Sequence, residues 1–206
     1  MYKTSLFQSN TEAAVIEFIK AHPFIHICGV DEQQMPVVAQ VPIIVVEKNN
    51  QLFFKGHFMR KQNHTIAFEQ NPNVLAVFTS PSAYISASWY TTKNVASTWN
   101  YQSVHCKGII RFTNDDELHT ILTQLTHQFE QNEQSEAAVK NMTPEYIAAN
   151  MKAIVGFEME VTQIDHVFKL SQNKTEIDRK NIIEALKKGN ASEQYIANEM
   201  EKIKPI

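Results

Sequence analysis

The chain has 206 residues, 43% hydrophobic and 20% charged, with a formal net charge of -3 at pH 7. That is the composition of a globular protein with a real core. No stretch approaches the roughly 20 apolar residues of a membrane helix, and the start Met-Tyr-Lys-Thr-Ser-Leu-Phe lacks a signal peptide's apolar core, so a cytoplasmic protein without a membrane partner is expected.

The slight negative charge does not support DNA as a partner through general electrostatics, since DNA-gripping domains concentrate basic residues on one surface. Five glycines occur, none spaced for a dinucleotide fingerprint or a phosphate-binding loop. Cys28 and Cys106 are too few and too far apart for a disulfide framework or a zinc set, and are expected as buried small hydrophobes. The eight histidines are scattered without a metal-binding spacing, and Ser86 and Ser88 lack a hydrolase's Gly-x-Ser-x-Gly elbow.

In chain order, Ser9-Asn10-Thr11-Glu12 reads as a capping box opening a helix whose apolar stripe is Val15, Phe18 and Ile19, stopped by Pro23. β-Branched and aromatic runs predict strands over 24–30, 37–46, 52–55, 74–79, 84–88 and 103–112, with a short helix over 61–70. Short polar links such as 31–34 and 48–50 are hairpin-sized, and six closely connected strands suggest an antiparallel barrel. Thr113-Asn114-Asp115-Asp116 opens a long helix with Leu118, Ile121, Leu122, Leu125 and Phe129 at helical spacing. Thr143-Pro144-Glu145 starts another, 154–164 returns to strand, and 175–206 reads as a helical hairpin packed on the barrel domain, 1–174. A helix-turn-helix in the hairpin is disfavoured, because Glu193, Glu199 and Glu201 would face phosphates.

Three clusters carry candidate chemistry. At Lys55-Gly56-His57-Phe58-Met59-Arg60-Lys61 a strand hands over to a helix, where cations beside helix-start amides suit a phosphate. Tyr84-Ile85-Ser86-Ala87-Ser88-Trp89-Tyr90 and Ser97-Thr98-Trp99-Asn100-Tyr101 combine large rings with hydroxyls and an amide, which suits either a flat heteroaromatic ligand or a dimer seam.

The segments Tyr84 to Tyr90, Thr98-Trp99-Asn100-Tyr101 with Val104-His105 and Gly108, and Lys169-Leu170-Ser171-Gln172-Asn173 with Asp178-Arg179 resemble the signatures of the PaiB family, as do Gly56-His57 with Arg60 and 153–158. The resemblance runs through nearly the whole chain in the same order. It departs from the family pattern at Ala39-Gln40, at Lys61-Gln62-Asn63, and at Ala87 and Ser97, where the family often has proline.

The resemblance implies a mainly β, mixed α+β fold, an FMN-binding split β-barrel with flanking helices. It also implies a homodimer with FMN as cofactor and a role as a negative transcriptional regulator. Carried over by residue, it puts the phosphate near Arg60 and Lys61, and the ring and ribityl chain near His57, Tyr84, Ile85, Ser86, Ser88, Trp89, Trp99 and Asn100, with Lys169 and Ser171 closing the site. An FMN-dependent reductase using the same pocket, and a barrel that has lost the cofactor, remain open alternatives.

Overall fold

Strict alternation makes the sheet. Leu52, Phe54, Gly56 and Phe58 are buried while their neighbours are not, so every second residue of this strand faces the core. The structure, a computed structural model, describes residues 4–8 and 11–203. The elements are α1 (Glu12–Ala21), β1 (Phe24–Val30), β2 (Pro36–Pro42), β3 (Ile44–Lys48), β4 (Gln51–Met59), α2 (Asn63–Gln70), β5 (Asn73–Thr79), β6 (Ala83–Ile85) and β7 (Thr98–Phe112), followed by α3 (Asp115–Glu130), α4 (Pro144–Met151), β8 (Ile154–Lys169), α5 (Glu176–Leu186) and α6 (Ala191–Lys202). The strands run in the order β2-β1-β5-β7-β8-β4-β3, with β6 on β7, which gives the mixed α+β split-barrel class expected.

Local chemistry explains most element boundaries. Thr11 accepts the Ala14 N–H at 3.3 Å at the start of α1, whereas Ser9 and Asn10 of the expected capping box lie outside the described residues. Asn114 and Glu117 form a reciprocal capping box on α3, and Asn190 and Glu193 form another on α6. The second box requires Gly189, because a Cβ there would stand 2.0 Å from a Glu193 carboxylate oxygen. Thr143 caps α4 with Pro144 in its first turn.

Four expectations need correction. The run 37–46 is two strands, divided after Pro42, which has no N–H to continue a ladder; Ile43 is fully buried there and donates to the Pro23 carbonyl at 2.8 Å. The strand expected over 84–88 is β6 alone, because Ser86 accepts the Ser88 N–H and starts a 3₁₀ turn, Ala87–Trp89. Strands β7 and β8 extend well beyond 103–112 and 154–164. Cys106 is buried as expected, but Cys28 is partly exposed, since it alternates with the fully buried Ile27.

The chain forms two compact units. One comprises Met1–Phe18, Thr79–Val104 and Asp165–Ile206; the other comprises Ile19–Phe78 and His105–Ile164. In the second, Phe54, Phe58, Phe78 and Phe157 are core residues, with Phe58 and Phe157 stacked at 4.3 Å. Helix α3 packs on β3 and β4. In the first, α5 and α6 bury Ile182, Leu186, Ile196 and Met200 against Ala83 and Ile85 of β6 and against Leu170.

Candidate functional site

The sequence-predicted residues fall into two groups, one in each unit. The unit built on β4 and α2 carries His57, Arg60 and Lys61. Lys55, on the same strand, is committed to Glu158 at 2.8 Å, and Arg111 shares that carboxylate. His57 pairs with Gly156 across β4 and β8, and its Nδ1 is buried without a hydrogen-bond partner among the described residues. Burial pushes its pKa below the ordinary 6.5, which keeps the imidazole neutral. Beyond Met59 the chain turns: the Arg60 N–H donates to the Ala153 carbonyl at 2.8 Å, and Lys61 adopts the left-handed region with φ 61. The Arg60 guanidinium is 41% exposed and reaches the Asp115 carboxylate only at 3.8 Å. The residue preceding α2, Gln62, places no side-chain cap on the helix amides.

The other unit carries the aromatic and C-terminal residues. Tyr84 and Trp99 face each other across β6 and β7 as an edge-on pair 5.7 Å apart, and are 47% and 53% exposed. Ile85 points the other way and is fully buried in the helical core. Ser86 and Ser88 share a hydroxyl hydrogen bond at 2.8 Å, and the Trp89 carbonyl accepts from Asn181 at 3.1 Å. Asn100 is fully buried: its amide donates to Ser171 Oγ at 3.0 Å and to Met200 Sδ at 3.3 Å, and Ser171 Oγ returns a bond to Asn100 Oδ1 at 3.1 Å. These contacts make Asn100 and Ser171 a latch between β7 and the end of β8.

Asp178 and Arg179 are structural anchors. Asp178 accepts from the Thr91 N–H at 2.7 Å and the Thr91 hydroxyl at 2.9 Å, and these bonds hold its pKa below the usual carboxylate value. Arg179 donates to the carbonyls of Leu170, Met200 and Ile203, each at 2.7 Å. It thereby caps α6 with a buried cation.

Where β8 ends, Lys169, Lys174, Ser97, Thr98 and Asn173 line a cavity of about 320 Å³, with Phe7 at its wall. Lys169 Nζ donates to Thr98 Oγ1 at 2.5 Å, and the Lys174 ammonium lies 4.2 Å from the centroid of the Tyr90 ring. Burial, and then the charge of Lys174, push the Lys169 pKa below its ordinary value. Lys174 had no signal in the sequence: it stands in a polar turn, and its neighbours Ser97 and Thr98 come from a segment more than 70 positions earlier. A second cavity, of about 490 Å³, follows the last turns of α3, where His127 and Lys140 both pair with Glu133. None of the sequence-predicted site residues lines it.

Residues 1–163 match a family described as "Putative FMN-binding domain". The chain is 33% identical over 186 residues to the protease synthase and sporulation protein PAI 2 of Bacillus subtilis, covering 90% of this chain and 89% of that protein. Among solved structures it resembles an FAD and heme binding protein of Mycobacterium smegmatis, at 15% identity and a TM-score of 0.58, over 78% of this chain and 72% of that one. It also resembles an FAD-binding protein of Mesorhizobium loti, at 11% identity and a TM-score of 0.50, over 78% of this chain and 96% of that one. At those identities the likeness is one of fold. The Bacillus relative and the matched domain together place the chain by sequence: it belongs to the PaiB family and carries that family's FMN-binding domain.

Proposed function

We propose that this protein binds FMN by its phosphate at the Arg60–Lys61 turn and acts, as a homodimer, as a regulator of PaiB type in which flavin binding alters a partner interaction. The observation that carries the reading is that turn: a guanidinium paired loosely, at 3.8 Å, with the exposed Asp115 carboxylate stands beside the start of a helix whose N-cap residue, Gln62, gives its amides no side-chain bond, although Asn63 Oδ1 takes the His64 N–H at 2.8 Å. Guanidinium donors and helix-start amides are the donor set that a phosphate requires, and the helix dipole adds to it. The fit extends to His57, whose buried Nδ1 lacks a partner and whose neutral ring repels neither a flavin nor its phosphate. Bound FMN would supply a redox-active ring; the chain's own residues hold the phosphate and keep the imidazole uncharged.

The exposed Tyr84–Trp99 pair supports the dimer, since two large rings on one strand pair form an apolar surface that a second copy covers. The regulatory role rests on the PaiB resemblance and is in keeping with the name of the Bacillus relative, a protease synthase and sporulation protein. The net charge of -3 favours a protein partner over the DNA backbone. Titrating the purified protein with FMN tests the reading: saturable quenching of flavin fluorescence is expected, and a colourless protein that ignores FMN at tens of micromolar overturns it. Sedimentation should give about twice 23.6 kDa. A monomer at micromolar concentration would remove the dimer.

A further inference from the structure

The cavity at the end of β8 is lined by two lysines, the hydroxyls of Ser97, Thr98 and Ser171, and the side-chain amide of Asn173. Ser97 Oγ accepts the Ala87 N–H at 3.0 Å and Thr98 Oγ1 accepts from Lys169, so in each hydroxyl an acceptor position is already taken and the O–H is left to donate. Lys169 and Lys174 add two ammonium groups, and no carboxylate is among the described residues that line the cavity. The cations are held in place before any ligand arrives: Lys169 by Thr98, Lys174 by the Tyr90 ring.

The turn that carries them is itself fixed. Ser171 sits in the left-handed region with φ 58, the Lys174 N–H donates to the Ser171 carbonyl at 3.1 Å, and Gln172 binds the Leu170 N–H at 2.8 Å and the Phe168 carbonyl. A strained, over-determined turn presenting two cations is preorganised for an anion. Asp178, whose charge interacts with Lys174, is hydrogen-bonded to the Thr91 N–H and hydroxyl and is not among the residues that line the cavity.

We propose that this cavity is an anion site for a phosphate group, either inorganic phosphate or a small phosphate monoester, held by Lys169 and Lys174 with the Ser97 and Thr98 hydroxyls. The volume of about 320 Å³ is at the small end of ligand pockets, which suits a compact phosphorylated molecule. The cavity shares Lys169 and Ser171 with the residues that the family resemblance assigns to the flavin, but shares none with the Arg60–Lys61 turn proposed to hold the flavin phosphate, and its anion chemistry stands without flavin.

The test is calorimetric titration of the full, flavin-free chain carrying Arg60→Ala, which removes the phosphate contact proposed for the flavin, with inorganic phosphate and, in parallel, with ribose 5-phosphate. Saturable binding is expected. On that background Lys174→Gln should weaken binding by about tenfold or more, the loss typical of a bond to a charged partner, whereas Lys174→Arg retains it. Lys174 is partly exposed, so its replacement leaves the core intact, and a thermal melt of each variant checks that. Tighter binding of the ester identifies an organic phosphate, and equal binding identifies the inorganic ion; both support the site. No saturable binding at millimolar ligand overturns the proposal, as does a Lys174→Gln variant that binds like its Arg60→Ala parent.

Discussion

Replacing Arg60 by alanine separates the proposed flavin contact from the fold. In the structure the guanidinium is 41% exposed, its carboxylate neighbour Asp115 is 3.8 Å away and 81% exposed, and the backbone bond from the Arg60 N–H to Ala153 survives the substitution. An exposed pair of this kind contributes under about 1 kcal/mol, so the melting temperature should barely move. A forked, charge-assisted contact to phosphate is stronger: losing a bond to a charged partner costs about 1.5 to 3 kcal/mol, or roughly ten- to a hundredfold in affinity. Lys61→Ala should matter less, because a lysine offers one mobile point charge. The assay is fluorescence titration of wild type and both variants with FMN and with riboflavin, which lacks the phosphate. Arg60→Ala should lose FMN and keep riboflavin. Equal proportional loss of both flavins, or a melting point lowered by many degrees, would make Arg60 a structural residue and refute the placement of the phosphate.

Gly108→Ala should destabilise the sheet by about 1 to 3 kcal/mol or more, read from urea unfolding, because its Cβ would lie 2.3 Å from the Glu160 carbonyl oxygen, a backbone atom that cannot swing aside. Arg179→Met should cost about 3 kcal/mol or more, since it strands the carbonyls of Leu170, Met200 and Ile203; a variant as stable as wild type would show that water replaces the guanidinium. Burial holds His57, His64 and His166 below the ordinary 6.5, so the unfolded chain binds more protons than the folded one in the window that begins near 6.5 and extends downward. Stability should therefore fall between pH 7.5 and 5.5, where the carboxylates remain ionised, and His57→Gln should flatten that fall; stability that is level or rises toward acid contradicts the sign.

Trp99→Arg should shift sedimentation from dimer toward monomer while leaving the fold intact, because the ring is 53% exposed and carries none of the core. A variant that stays dimeric would move the proposed seam elsewhere.

Much of the architecture was legible in the residues alone because it depends on near neighbours. Asn114 with Glu117 and Thr143 with Pro144 start helices through contacts within one turn, and the alternation from Gln51 to Met59 sets which side of a strand is buried. The family signatures were likewise local strings, and the Arg60–Lys61 turn lies where a strand run meets a helix run. What the tertiary structure decided is which of those residues are accessible and which are pinned. Ile85 and Asn100 look like ligand contacts in the string, yet the pleat turns Ile85 into the helical core and Asn100 onto Ser171 and Met200, while Tyr84 and Trp99 face outward. Asp178 and Arg179 similarly serve Thr91 and the end of α6. The strings around Ser97–Thr98 and Lys169 stood out singly, but their meeting with Lys174 in one cavity did not show, because side chains 71 positions apart, such as Thr98 and Lys169, meet only after β7 and β8 have formed at full length. Short-range bonds are written in short strings; a site built by long-range pairing exists only once the chain has folded.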